Sequence, residues 1–270
     1  MPHIQKKYDI KDRIEYEISF SGRYGMKGEK RAKRKEFTKE QMKRFNQINK
    51  ENRLRRTIYA NFEEGDLFLT LKYPKGTRKN ISDVKKDFRN FINRLKTAFK
   101  KFAAKPKYVY RIEIGKLGGI HIHMILNRIK GQDTDLIAQR TWKNGRVNFQ
   151  SIYEYGGYKK LANYLSKKPD EDSKEYEQLN LFDEKDKKVL LSIGSSRNLV
   201  RPEPEVKEYH RRTVKKLVND GPVASPGYYI EKESVVMGVN PYNGMTYIRY
   251  TEVRIKQKRR NELCLSTMLS

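Results

Sequence analysis

Covalent cross-links and membrane-spanning segments are both missing from this sequence. The single cysteine, Cys264, has no internal partner, which excludes an internal disulfide and a Cys-based zinc site and leaves stability to packing. No run of about eighteen apolar residues occurs, and residues 1–30 lack the apolar block of a secretory signal. The expectation is a cytoplasmic protein with no membrane span. Acidic residues are few, 33 Asp and Glu against 60 Lys and Arg, a net charge of +27. Such an excess repels itself unless a polyanion is the working partner, so nucleic acid comes first and an anionic membrane second. An apolar content of 36% over 270 residues suffices for one large domain or one domain with appendages.

The cations are concentrated. Lys27 to Arg56 holds thirteen Lys or Arg against four Glu. Gly22, Gly25 and Gly28 suggest a mobile arm, followed by a helix with a Thr38/Gln41 capping box and Met42, Phe45 and Ile48 at three-residue spacing. Such a helix either lies along a phosphate backbone or keeps its charges for solubility. Three segments are expected: 1–59, a basic N-terminal arm and helix; 60–202, the main domain; and 203–270, a C-terminal helix and β-hairpin extension.

In the main domain, Leu67 to Leu71 reads as a strand. Ser82 is placed as the cap of a helix whose Val84, Phe88, Phe91, Leu95, Phe99 and Phe102 follow a 3.6-residue period. Tyr108–Ile114 and Ile120–Leu126 flank a five-residue, glycine-rich turn and should be antiparallel neighbours. A short helix near Thr134–Arg140, a strand near Val147–Ile152 and a helix over Tyr158–Lys168, stopped by Pro169, complete the unit. Asp170–Lys188 reads as a patternless surface insertion, Ile193–Pro202 as an ordered loop and Val206–Asn219 as a second basic helix. Residues 228–255 read as strands around a turn at Asn240–Gly244.

Only four histidines occur, and two form His121-Ile122-His123 inside an apolar strand. Positions i and i+2 of a strand share a face, so the imidazoles project together and resemble half a metal site; packed structural histidines are the alternative. A symmetric turn sets Ile114 opposite Ile120, which puts Glu113 across from His121 and Arg111 across from His123. Two imidazoles and a carboxylate with open positions suit Mg²⁺ or Mn²⁺ acting on phosphate oxygens. A one-residue change of register would instead leave Glu113 paired with Arg111 or Lys116. On the Tyr158–Lys168 helix, Tyr164 lies four residues after Lys160 and three before Lys167. That places a phenol between two ammonium groups able to hold a phosphate and ease loss of its proton.

Leu67-Phe68-Leu69-Thr70-Leu71, His121-Ile122-His123 and Tyr164-Leu165-Ser166-Lys167, in that order, resemble the three motifs of the HUH endonucleases. The resemblance is to rolling-circle replication initiators of phages, plasmids and integrative elements, and Ser196-Arg197-Asn198-Leu199 is similar to a loop of bacterial and phage members. It implies an α+β fold, a ferredoxin-like or RRM-like antiparallel sheet with the histidine strand central and helices on one face. It further implies nicking and rejoining of single-stranded DNA at an origin, often a hairpin, through a 5′-phosphotyrosine. By position, His121, His123 and Glu113 become metal ligands, Tyr164 the nucleophile and Lys167 an assistant at the phosphate. Lys160, Arg197, Arg111, Arg55 and Arg56 are the expected DNA contacts, and a host helicase or polymerase is a possible partner. Initiators with two nucleophiles place tyrosines four apart, whereas position 160 is Lys here. Closing a circle would then need a second subunit, a water, or Tyr153, Tyr155 or Tyr158. Competing readings are a relaxase or transposase of the same chemistry, a non-catalytic single-strand binder and, more weakly, a zinc hydrolase without an HExxH motif.

Overall fold

A computed structural model describes residues 3–20, 38–209, 215–239 and 246–255. The expected glycine arm, the Asn240–Gly244 turn and Cys264 lie outside the described residues. Two compact units emerge, Phe37–Arg201 and a second built from Met1–Glu36 with Pro202–Ser270. The boundary expected at 59/60 therefore falls earlier, at 36/37, while the one expected at 202/203 is displaced by one residue.

The chain opens with strands β1 (His3–Ile10) and β2 (Arg13–Phe20), joined by a two-residue turn with Ile10 opposite Arg13. The larger unit then runs α1 (Lys39–Asn61), β3 (Leu67–Lys72), α2 (Ile81–Lys100), β4 (Tyr108–Ile114) and β5 (Ile120–Leu126). It continues with α3 (Thr134–Thr141), β6 (Arg146–Ser151), α4 (Ile152–Tyr155) and α5 (Gly157–Ser166). The last elements of this unit are α6 (Lys174–Asn180), α7 (Glu184–Leu190) and the two-residue β7 (Gly194–Ser195). The smaller unit resumes with β8 (Glu205–Tyr209), α8 (Lys215–Asp220), β9 (Tyr228–Ile230), a 3₁₀ turn, β10 (Val236–Val239) and β11 (Thr246–Arg254).

The larger unit is an α+β domain on a five-stranded antiparallel sheet, order β6-β3-β5-β4-β7, which places the histidine strand β5 at its centre. Alternation along the strands builds two apolar layers. Leu67, Leu69, Leu71, Ile112, Ile122 and Met124 face α2 through Val84, Phe88, Phe91, Leu95 and Phe99. The alternate residues Phe68, Val109 and Ile125 face α1 and α5 through Leu54, Ile58, Leu161, Ala162 and Leu165. Helices thus stand on both faces, a correction to the single helical face expected. The cause is α1: its capping box at Thr38 and Gln41 forms as read, but Met42 and Phe45 remain exposed and burial shifts to Leu54, Ile58 and Tyr59. The last two turns of this basic helix belong to the core and its beginning is solvated.

Further departures follow from contacts between segments distant in sequence. Asn80, not Ser82, caps α2, its side chain accepting from the Asp83 backbone N–H, and Phe102 lies beyond the helix and is exposed. Asp170–Lys188 is not patternless: α6 and α7 bury Leu179 and Leu190 against the α2-side core. Val206–Asn219 is not one helix, since β8 pairs with β1 and the available sheet edge overrides helical periodicity. In the smaller unit a six-stranded antiparallel sheet carries the path β10-β11-β2-β1-β8, with β9 also on β11. Among the described residues no helix is long and apolar enough to cross a membrane.

The turn between β4 and β5 sets the register. The Gly118 backbone donates to Gly115 and Gly115 donates to Gly119, and Gly118 adopts φ 75°, a left-handed conformation that favours glycine. Gly119 has ordinary φ and open space around it. Gly118→Val should destabilise the protein by about 1–2 kcal/mol whereas Gly119→Val should stay within about 0.5 kcal/mol. Urea denaturation of both variants, followed by circular dichroism, checks the contrast.

Candidate active site

The symmetric turn delivers the pairing read from sequence: Ile114 opposite Ile120, Glu113 opposite His121 and Arg111 opposite His123. On the other side of β5, Thr70 lies opposite His123 and Lys72 opposite His121. All six side chains share one face of the sheet, the face on which α1 and α5 pack.

Glu113, His121 and His123 converge so that one ligand atom from each lies within 4.8 Å of the others. Glu113 Oε2 is 3.3 Å from His123 Nε2 and 3.8 Å from His121 Nε2. The remaining atoms are held from behind: Thr70 Oγ1 lies 3.2 Å from His123 Nδ1, and Arg111 Nε lies 3.2 Å from Glu113 Oε1. Such outer partners fix ring orientation and carboxylate rotamer before any ion arrives. Phe68 stacks on His123 with centroids 5.6 Å apart, closing the inner side.

The electrostatics suit a cation. Burial pushes the Glu113 carboxyl up, but the hydrogen bond from His123 and the nearby Arg111 outweigh it, so its pKa lies below the usual carboxylate range. Burial, then the His123 charge, lower the pKa of His121, favouring the neutral imidazole that ligates metals. Two imidazole nitrogens and a carboxylate oxygen around one point fit a divalent ion.

Tyr164 projects from α5 into this cluster. Its hydroxyl is 2.8 Å from His123 Nε2 and donates to Glu113 Oε2 at 3.2 Å. Burial, then the Glu113 charge, push the phenol well above its ordinary pKa. The two-ammonium setting read from the helical wheel is corrected here. Helix α5 ends at Ser166, so Lys167 leaves in an extended conformation and its Nζ bonds Asp170 at 2.8 Å. Lys160 Nζ lies 5.8 Å from the Tyr155 ring centroid. An imidazole and a carboxylate hold the phenol; both lysines stand exposed nearby.

Of the expected DNA contacts, Arg197 and Lys160 are exposed and Arg55 is half-buried. Arg56 and Arg111 are buried at 7% and 4% exposure, which removes both from a DNA-facing surface. Arg111 instead donates from Nη1 to the Leu165 carbonyl at 3.1 Å and to that of Lys167, while Nε faces Glu113. It ties the end of the Tyr164 helix to the carboxylate. The sequence signal was available, since Arg111 lies within the apolar alternation Tyr108-Val109-Tyr110-Arg111-Ile112. Thr70 was missed as a partner of His123 because β3 and β5 are far apart in sequence and their register is set only in the fold. Of the other tyrosines considered, Tyr158 donates to the Phe62 carbonyl, Tyr153 is 72% exposed, and Tyr155 packs on Phe68 and Tyr164.

No curated protein and no solved structure matches the chain. Residues 66–169, which hold Glu113, both histidines and Tyr164, match a family model described as Replication-associated protein ORF2/G2P. Over that segment the chain is similar to replication-associated proteins of the ORF2/G2P type.

Proposed function

We propose that the protein nicks and rejoins single-stranded DNA at a replication origin through a covalent tyrosine intermediate, starting rolling-circle replication. The observation that carries this reading is the Tyr164 hydroxyl lying 2.8 Å from one imidazole and 3.2 Å from the carboxylate of the same three-residue cluster. A core tyrosine that served packing alone would not need its hydroxyl among three metal-ligating side chains. The similarity of residues 66–169 to a replication-associated protein family supports the replication context.

In this mechanism His121, His123 and Glu113 would hold a divalent ion, Mg²⁺ or Mn²⁺, whose chemistry is Lewis-acid polarisation of a phosphate oxygen. The Tyr164 oxygen attacks the scissile phosphorus as the bond from phosphorus to the 3′ oxygen breaks. The 5′ phosphate becomes linked to Tyr164, and the proton lost from the phenol is balanced by the one gained on the released 3′ hydroxyl. Attack by a 3′ hydroxyl in the reverse sense rejoins the strand. Lys167, paired here with Asp170 through side chains 65% and 70% exposed, would have to leave that partner to steady the phosphate, and such surface pairs contribute only about 0–1 kcal/mol. Arg111 keeps Glu113 and the end of α5 in one arrangement.

Incubating the protein with a labelled pool of single strands and Mn²⁺ should give a denaturation-resistant adduct. Tyr164→Phe should abolish it, and an adduct of undiminished yield would remove Tyr164 from the nucleophile's role. His121→Ala combined with His123→Ala should abolish cleavage while the circular dichroism spectrum is retained; cleavage at the original rate would sink the metal assignment. Arg111→Lys keeps the charge but loses the planar fork, and should raise the half-saturating Mn²⁺ concentration by about 10-fold. Metal titration of the single-turnover rate measures this, with a smaller change expected at saturating metal.

A further inference from the structure

Beside the cluster lies a cavity of about 260 Å³ that shares Glu113 and Tyr164 with it. We propose that this cavity captures one unstacked, amino-bearing nucleobase adjacent to the phosphate held at the cluster, so that it reads sequence where the cluster reads backbone. The inference rests on the single-strand nicking reading and deepens it.

Size and lining favour a single base. The volume lies below the roughly 300–1,000 Å³ of pockets that bury drug-sized ligands. Ile114, Leu179, Leu190 and Leu191 contribute apolar surface, and Lys167 and Lys168 stand exposed at its border. A flat apolar ring inside with cations outside is the arrangement a nucleotide requires, its base desolvated and its phosphate paired. Lys50 reinforces the cationic side: its Nζ reaches the Leu191 carbonyl at 3.5 Å, close to Arg111 and Lys168. Glu113 pairs with Arg111, which leaves Lys50 and Lys168 to attract a phosphate of the strand.

Glu175 supplies the selectivity. It lines the cavity, is half-buried, and has no hydrogen-bond or ion-pair partner among the described residues. A carboxylate accepts from the exocyclic amine of cytosine, adenine or guanine, whereas thymine offers only its ring N3–H, flanked by two carbonyl oxygens that repel a carboxylate. Location adds a second argument. Glu175, Leu179, Leu190 and Leu191 lie beyond residue 169, outside the segment that matches the family, whereas Glu113 and Tyr164 lie within it. Helices α6 and α7 thus bring a carboxylate and apolar surface to the edge of the cluster from outside the segment that holds the histidine pair and Tyr164.

The test is equilibrium binding of the full chain to fluorescent oligo-dC and oligo-dT of equal length, by anisotropy without divalent metal so that no cleavage intervenes. Oligo-dC should bind about 10-fold more tightly. Glu175→Gln, which can both donate and accept, should remove most of that difference. Leu191→Trp, which fills the cavity from a half-buried position, should weaken oligo-dC binding to the level of oligo-dT. Equal binding of the two strands by the unmodified protein would overturn the proposal, as would a preference that survives both substitutions. Because Leu191→Trp may perturb folding, its urea midpoint is measured beside it, and Glu175→Gln stands as the independent variant. Failure of the nicking reading would register separately, as absence of the Tyr164 adduct in the presence of Mn²⁺.

Discussion

The site depends on the register of one hairpin. Five residues between Ile114 and Ile120 close with Gly118 in a left-handed conformation, and every cross-strand pair behind the turn follows from that closure. Because side chains alternate with period two, a slip of one residue would turn Glu113 to the opposite face and leave two imidazoles without a carboxylate. The hydrophobic pattern enforces the same register independently. Ile112, Ile114, Ile120 and Ile122 all belong to the α2-side core, and a slip would carry apolar side chains out of it. A buried core of leucine, isoleucine and phenylalanine thereby holds three ligands on the opposite face, where few apolar contacts could fix them.

Arg111 extends that constraint to Tyr164. Burying a guanidinium is costly unless its donors are satisfied, and here the partners are the Glu113 carboxylate and carbonyls at the end of α5. A charge that would be an expense in an ordinary core instead joins two elements remote in sequence, β4 and α5. Gln47 adds a lighter tie from α1, its amide donating to the Ser166 carbonyl at 3.0 Å. Tyr164 therefore reaches the cluster from a helix end held on two sides, with its ring against Phe68 and His123.

What was legible in the sequence was local. The capping box of α1, strands β3 to β5, the amphipathic helix α2 and the pairing of Glu113 with His121 each depend on residues within about two dozen positions, where periodicity and turn chemistry act directly. Pairings across longer distances were not legible. Residues 3–20 form a hairpin that pairs with β8 and β11, although the segment reads as part of a basic arm, because strand partners two hundred residues away leave no local trace. The same limit misplaced Arg56, whereas Arg111 stood in a legible apolar alternation and was misread because its charge was given more weight than its neighbours. It also misjudged Lys167, because a helix ending at Ser166, two residues earlier than read, moves that ammonium off the wheel.

The net charge of +27 gains a more particular meaning from this geometry. Every phosphodiester along a strand is chemically alike, so a cluster of two imidazoles, a carboxylate and a phenol can select a phosphate but not a sequence. General cationic attraction has the same indifference and fades with salt. Selection of one origin must therefore reside in side chains that meet base edges. Under the nicking reading, side chains that read the base beside the cut phosphate stand close to the cluster. Helices α6 and α7 satisfy both demands: they pack on the same sheet edge as Glu113 and end the cavity that Tyr164 begins.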